Sequence, residues 1–251
     1  MTAGDVDYGR HGHGYATARR TDARIEAQVH AALGAARTVI NVGAGAGSYE
    51  PADRYVVAVE PSPAMRAQRP PGRVPALNAT AELLPFDDDT FDAALACVTV
   101  HQWSDTVAGL RELRRVARGP VVVLTFDGDA LDLLWLAEYA PELIAAERRR
   151  YPPLNLIAAH IGTRCDIQDV PVPIDCVDGF TEAFYARPER FLDPAVRRSQ
   201  SAWTFVDDAT EARAVEHLRR DLDTGTWDER HGHLRTQPMF AGSLRLLIGR
   251  P

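Results

Sequence analysis

Between Ile25 and Arg118, short β-rich runs alternate with helical stretches, a pattern that calls for βαβ units around a parallel sheet. Val39-Ile40-Asn41-Val42 reads as the first strand and Tyr55 to Val59 as the second. Arg73 to Leu77 follows as a short third, Phe91 to Thr99 as the fourth and Pro120 to Phe126 as the fifth. Ala64 to Arg69 and Ser104 to Ala117 read as helices, the latter with Val107, Leu110, Leu113 and Val116 on one face and Arg111, Arg114, Arg115 and Arg118 on the other.

Beyond the fifth strand the pattern changes. Leu131 to Arg150 reads as one long helical stretch stopped by Tyr151-Pro152-Pro153. Asp169 to Asp175 carries Pro171 and Pro173, which fits an edge strand, and Gly242 to Gly249 supplies a last strand. A chain of 251 residues accommodates this as one domain with an insertion, since domains run to about 150 residues.

Composition excludes several function classes. A net charge of -7 with scattered basic residues gives no positive surface for nucleic acid. All 28 basic residues are arginine, so Schiff-base chemistry and a lysine base are ruled out. Cys97, Cys165 and Cys176 form no CxxC pair, which disfavours a disulfide framework or a four-cysteine metal centre. No apolar run reaches membrane-spanning length, about 18 residues, and Met1 to Arg10 lacks a signal-peptide layout, so a cytoplasmic location without membrane partners is expected.

The segment Val39-Ile40-Asn41-Val42-Gly43-Ala44-Gly45-Ala46-Gly47-Ser48 carries the strongest functional signal, an apolar strand entering a glycine-rich turn. Glycines there let backbone approach a nucleoside or amino-acid ligand without a Cβ between. The spacing is GxGxG, and Ser48 stands where a dinucleotide fingerprint wants glycine or alanine, which disfavours a pyrophosphate. Glu60 closes the second strand, where a carboxylate can accept hydrogen bonds from both hydroxyls of a ribose.

The glycine turn, Glu60, the run Ala81-Glu82-Leu83-Leu84-Pro85-Phe86, and Phe91 to Cys97 through His101-Gln102-Trp103 resemble, in order and spacing, the class I S-adenosylmethionine-dependent methyltransferases. The nearest branch is the small-molecule one similar to ubiquinone/menaquinone-biosynthesis methyltransferases. The resemblance is specific from about Thr38 to Phe126. It implies an α/β, Rossmann-like seven-stranded sheet, mostly parallel with one antiparallel strand and helices on both faces, plus helical and aromatic insertions after the fifth strand. S-adenosyl-L-methionine would lie across the carboxyl ends of the first, second and fourth strands. Gly43, Ala44, Gly45 and Gly47 would face its methionine part, Glu60 its ribose, and Thr80, Ala81 and Glu82 its adenine. Val98 would sit near the methyl-bearing sulfur, and Asn41, Pro61 and Met65 complete the implied contacts. Asn41 and Thr80 depart from the acidic residues common at these positions, but both can still hydrogen-bond.

On this reading residues 1–24 form a cofactor-covering leader, with Tyr15 and Arg20 placed to meet the methionine carboxylate, for which a guanidinium is a bidentate match. Residues 25–126 are the cofactor-binding core, 127–205 the substrate-side insertions, and 206–251 a C-terminal helix and last strand. Methyl transfer from a sulfonium is an in-line displacement that needs proximity and a dry site more than a base. Should the acceptor need one, His101 is the candidate; packing beside the cofactor is its other reading. Aromatic residues in Leu131 to Tyr151 and Phe180 to Phe205 serve an acceptor pocket for a small molecule or the insertions' own core.

No metal site is expected: His11-Gly12-His13 and His231-Gly232-His233 lack a third ligand, and Asp87-Asp88-Asp89 reads as a water-facing turn. Two rival uses of the fold stay open. One is a cofactor-binding protein that does not methylate, cyclase-like or regulatory. The other is a nicotinamide-dependent oxidoreductase, against which Ser48 counts. The acceptor and the oligomeric state are not legible in the sequence.

Overall fold

The computed structural model describes residues 19–251. Its strands are β1 (Thr38–Val42), β2 (Tyr55–Val59), β3 (Ala76–Leu77), β4 (Ala93–Cys97), β5 (Val121–Phe126), β6 (Arg164–Asp169), β7 (Val172–Pro173), β8 (Met239–Phe240) and β9 (Leu244–Arg250). Seven form one sheet in the order β3-β2-β1-β4-β5-β9-β6. From β3 to β5 every pairing is parallel, and β9 runs antiparallel to both β5 and β6. The reversal of strand order at β1, between β2 and β4, opens a crevice at the carboxyl ends of these strands, the usual ligand position in such sheets.

Alternation along the strands sorts the core into two layers. Val39, Leu95, Val122 and Leu124 pack on one face with Ile25 and Val29 of the helix Ala23–Ala32 and with the insertions. Ile40, Ala94, Ala96, Val121 and Val123 point to the other face, under Leu110, Leu113 and Val116 of the helix Thr106–Val116 and Ile157 and Ile161 of the helix Leu154–Ile161. The expected fold class is thus the observed one.

Three elements differ from expectation. The stretch Leu131 to Arg150 is not one helix but a 3-10 turn (Gly128–Leu133), a short helix (Leu136–Tyr139) and a second helix (Pro141–Arg150). Pro141 has no N–H to continue a helix, yet suits the first turn of a new one. The edge strand expected at Asp169 to Asp175 is displaced: Arg164–Asp169 is the sheet edge, and Val172–Pro173 pairs with β8 in a separate two-stranded ribbon. The fourth strand stops at Cys97 because Val98 adopts φ 51, outside the extended region. Among the described residues, no helix is long and apolar enough to cross a membrane.

Candidate active site

The turn after β1 depends on glycine at two places. Gly43 (φ 68) and Gly45 (φ 49) are left-handed, and a Cβ on Gly43 would lie 2.1 Å from Thr99 Oγ1. The Gly45 amide donates to Glu60 Oε2 (2.9 Å) and the Ser62 amide to Oε1 (2.8 Å), which fixes the carboxylate at the end of β2. Ser62 caps the helix Pro63–Arg66, and this seats Met65 beneath the turn.

Together these residues line a trough with two sections. Asn41, Gly43, Ala44, Gly45, Glu60, Met65 and Val98 line the first, with Cys97 and Thr99. Pro61, Thr80, Ala81 and Glu82 line the second with Trp103 and Ser104, and Gly43, Glu60, Thr99 and Gln102 belong to both. Burial raises the Glu60 pKa above the ordinary carboxylate range, against the pull of its two amide donors. Although partly desolvated, Glu82 is held below that range by donors that include the Asp105 amide and the Ser104 hydroxyl.

Beside the first section, a cavity of about 670 Å³ including its open mouth shares Val98, Gln102 and Arg19 with it. Phe126, Leu131, Leu134, Leu143, Ile144 and Phe180 form its apolar wall. His101, Glu147, Tyr151, Glu182 and Gln200 are its principal polar groups. Burial holds the His101 pKa well below the usual imidazole value, with the Arg150 and Arg19 charges adding to the effect. Its ring lies 4.7 Å from that of Tyr151, and its Nδ1 has no hydrogen-bond partner among the described residues. Val98 sits where trough and cavity meet, and φ > 0 at a β-branched residue is strain of the kind that collects at functional sites.

Residue types and geometry at the trough fit S-adenosylmethionine. The glycine cradle leaves space that a Cβ would fill, and Glu60 keeps lone pairs beyond those its two amide donors use. Residues 40–123 match the family described as Methyltransferase domain. A proposed methyltransferase from an antibiotic biosynthesis pathway of Anabaena variabilis superposes with a TM-score of 0.86 and 28% identity, covering 94% of this chain and 100% of that one.

Over its core the chain resembles the class I S-adenosylmethionine-dependent methyltransferases.

Curated methyltransferases match part of the chain. The ubiquinone/menaquinone biosynthesis C-methyltransferase UbiE of Geobacter sp. (strain M21) is 31% identical over 116 residues, 39% of this chain and 49% of that protein. An uncharacterized methyltransferase of Mycobacterium tuberculosis is 38% identical over 109 residues, 40% of each chain. The chain thus spans about half or less of the length of the curated relatives it matches. The cofactor of this methyltransferase family is S-adenosyl-L-methionine.

Other expected site residues fall elsewhere. The arginine at the trough is Arg19, whereas Arg20 is exposed and off its lining. Gly47 (φ 96) is also off the lining, its α-carbon facing the side chains of Arg69 and Arg73. Tyr15, His11 and His13 lie outside the described residues. His231 Nε2 lies 3.3 Å from Glu138, and Asp88 pairs with Arg115 at 2.9 Å.

Sequence reasoning missed two supports. Arg69 binds both oxygens of the buried Glu50 (2.9 and 2.8 Å), and Glu50 Oε2 accepts from Asn41 Nδ2 (3.1 Å), so Asn41 is anchored through a neighbouring ion pair. In the second, Asp178 accepts from Arg19 Nε (2.6 Å), Tyr49 Oη (2.7 Å) and the Gly179 amide (2.7 Å), which ties the insertion to the glycine turn.

Proposed function

We propose that the protein transfers a methyl group from S-adenosylmethionine to a small, largely apolar acceptor held in the cavity beyond Val98. The shared lining of trough and cavity at Arg19, Val98 and Gln102 carries this reading, because it brings a cofactor site and an acceptor site to one junction. When bound, the cofactor supplies an activated methyl on a sulfonium. Glu60 would hold the ribose through charge-assisted hydrogen bonds. Arg19, already oriented by Asp178, would meet the methionine carboxylate. The apolar wall excludes water, and fixed placement of two reactants supplies most of the acceleration in a displacement of this kind. For a hydroxyl acceptor, His101 would take the released proton, since burial keeps its imidazole neutral.

Cytoplasmic location and a lack of nucleic-acid partners accompany this reading. The name of the Anabaena protein supports secondary metabolism as the setting. Calorimetric titration with S-adenosylmethionine, S-adenosylhomocysteine and NAD tests the cofactor half. Saturable binding of the first two without NAD is expected; binding of NAD alone would overturn the assignment. Methyl transfer to an acceptor, followed with labelled cofactor, separates catalysis from non-methylating binding.

A further inference from the structure

Among the described residues, the acceptor cavity contains three buried side chains with unsatisfied polar atoms: His101, already considered, Glu182 and Gln200. Glu182 is 2% exposed, and its Oε1 accepts from both the amide and the hydroxyl of Ser243 (2.7 Å each), while Oε2 has no hydrogen-bond partner among the described residues. Gln200 is 5% exposed, and its Oε1 accepts from Thr181 Oγ1 (3.1 Å), while Nε2 has no hydrogen-bond partner among the described residues. Both residues line the same cavity. A buried polar group without a partner is destabilising, so several in one cavity mark a place that a ligand completes.

We propose that Glu182 and Gln200 are the specificity-determining pair of the acceptor site, and that they read a neutral, flat molecule carrying a hydroxyl and a second hydrogen-bond acceptor. This rests on the methyltransferase reading and adds the acceptor's chemistry to it.

Charge bookkeeping selects the neutral ligand. Arg19, held by Asp178 at 2.6 Å, is also turned to the cofactor trough, and Glu147 is countered by Arg150, so neither is left to balance a charge on the acceptor. Burial raises the Glu182 pKa, which favours its uncharged form. A hydroxyl matches Glu182 in either protonation state, because it both donates and accepts. Gln200 Nε2 can only donate, and so requires an acceptor on the ligand. Shape follows from the rings: Phe126 lies 5.6 Å from Tyr151 and 5.5 Å from Phe180, centroid to centroid, which gives the cavity a lining of aromatic surface.

The test uses protein saturated with S-adenosylhomocysteine, whose own titration is the control for the cofactor reading. Four probes are titrated in, with ligand NMR as readout: 4-hydroxyacetophenone, acetophenone, cationic tyramine and anionic 4-hydroxybenzoate. The first should bind at least about tenfold tighter than the others, because a site built for a hydroxyl leaves polar groups unpaired around an analogue without one. Gln200→Leu should weaken that binding about tenfold or more. The neutral isostere Glu182→Gln, which still accepts from Ser243, should keep it within about threefold. Both variants should bind S-adenosylhomocysteine like the parent. Tyramine or 4-hydroxybenzoate binding as well as the first probe, an unaffected Gln200→Leu, or no binding of 4-hydroxyacetophenone at all would each overturn the proposal. Failure of S-adenosylhomocysteine to bind would instead defeat the underlying cofactor reading.

Discussion

Glu60 and Gly45 are joined by a 2.9 Å hydrogen bond in which the glycine amide donates to Oε2, so the turn after β1 and the end of β2 orient one another. The carboxylate is therefore held in place before any ribose arrives. Glu60→Ala should weaken S-adenosylmethionine binding by about 1.5–3 kcal/mol, as read by calorimetry on a variant whose circular dichroism is unchanged. Ribose hydroxyls donate to the charged form, so affinity should fall as pH drops through the raised Glu60 pKa and level off above it. Stability of the free protein runs the other way. A carboxyl whose folded pKa is raised contributes fully below its unfolded value, and that contribution is lost as pH rises through the folded one. Glu60→Gln should flatten both profiles.

Gly43 carries two separable constraints. Its φ of 68 penalises any side chain by about 1–2 kcal/mol, and its closeness to Thr99 adds a steric clash. Gly43→Ala should therefore lower stability by more than the backbone penalty alone. Combining it with Thr99→Gly should recover the clash component but not the backbone one. Urea denaturation of the three variants gives the comparison, and strictly additive effects would show that the two residues do not meet.

His101 is buried and its pKa is depressed, so the folded state resists protonation. The contribution to stability is then complete above the unfolded value near 6.5 and is lost as pH falls toward the folded pKa. Between these limits the loss should approach about 1.4 kcal/mol per pH unit, and His101→Gln should remove that slope from a plot of Tm against pH. With a hydroxyl acceptor the same variant should lower kcat by about a hundredfold or more while cofactor affinity holds.

Tyr49→Phe takes one donor from a carboxylate that is only 1% exposed. Arg19 and the Gly179 amide remain on Asp178, so the cost should be about 1–3 kcal/mol rather than collapse. Because Tyr49 belongs to the glycine turn and Asp178 to the insertion, proteolytic nicking near Gly179 should also become faster. Unchanged nicking would place the coupling elsewhere.

The residues that announce themselves in the sequence are those whose physics is local. Strand β1 with its glycine turn, and Glu60 at the end of β2, follow from hydrophobic patterning and conformational freedom within a few residues. Edge strand β6, Arg-Cys-Asp-Ile-Gln-Asp, gave no such signal because most of it is exposed and no apolar run results. Glu50 and Arg69 look like ordinary surface residues until folding brings them together across 19 positions. Asp178 and Glu182 are equally silent, since a carboxylate in an insertion shows its role only through partners such as Tyr49 and Ser243 that are distant in sequence. Arg19 and Arg20 are indistinguishable in the sequence, because which of two neighbouring arginines faces the trough depends on the chain direction.

Strand β9 lies between β5 and β6 rather than at the rim of the sheet. On the ribosome, then, β5 waits with one side unpaired while 117 residues emerge before its partner Leu244–Arg250 is made. Most of the segments that wall the cavity, from Leu131 to Ala202, are translated during that interval, and β9, made after them, completes the sheet. A chain cut short before Leu244 would keep the glycine turn and Glu60 but expose β5 and β6 as open edges, the kind of surface that recruits other chains.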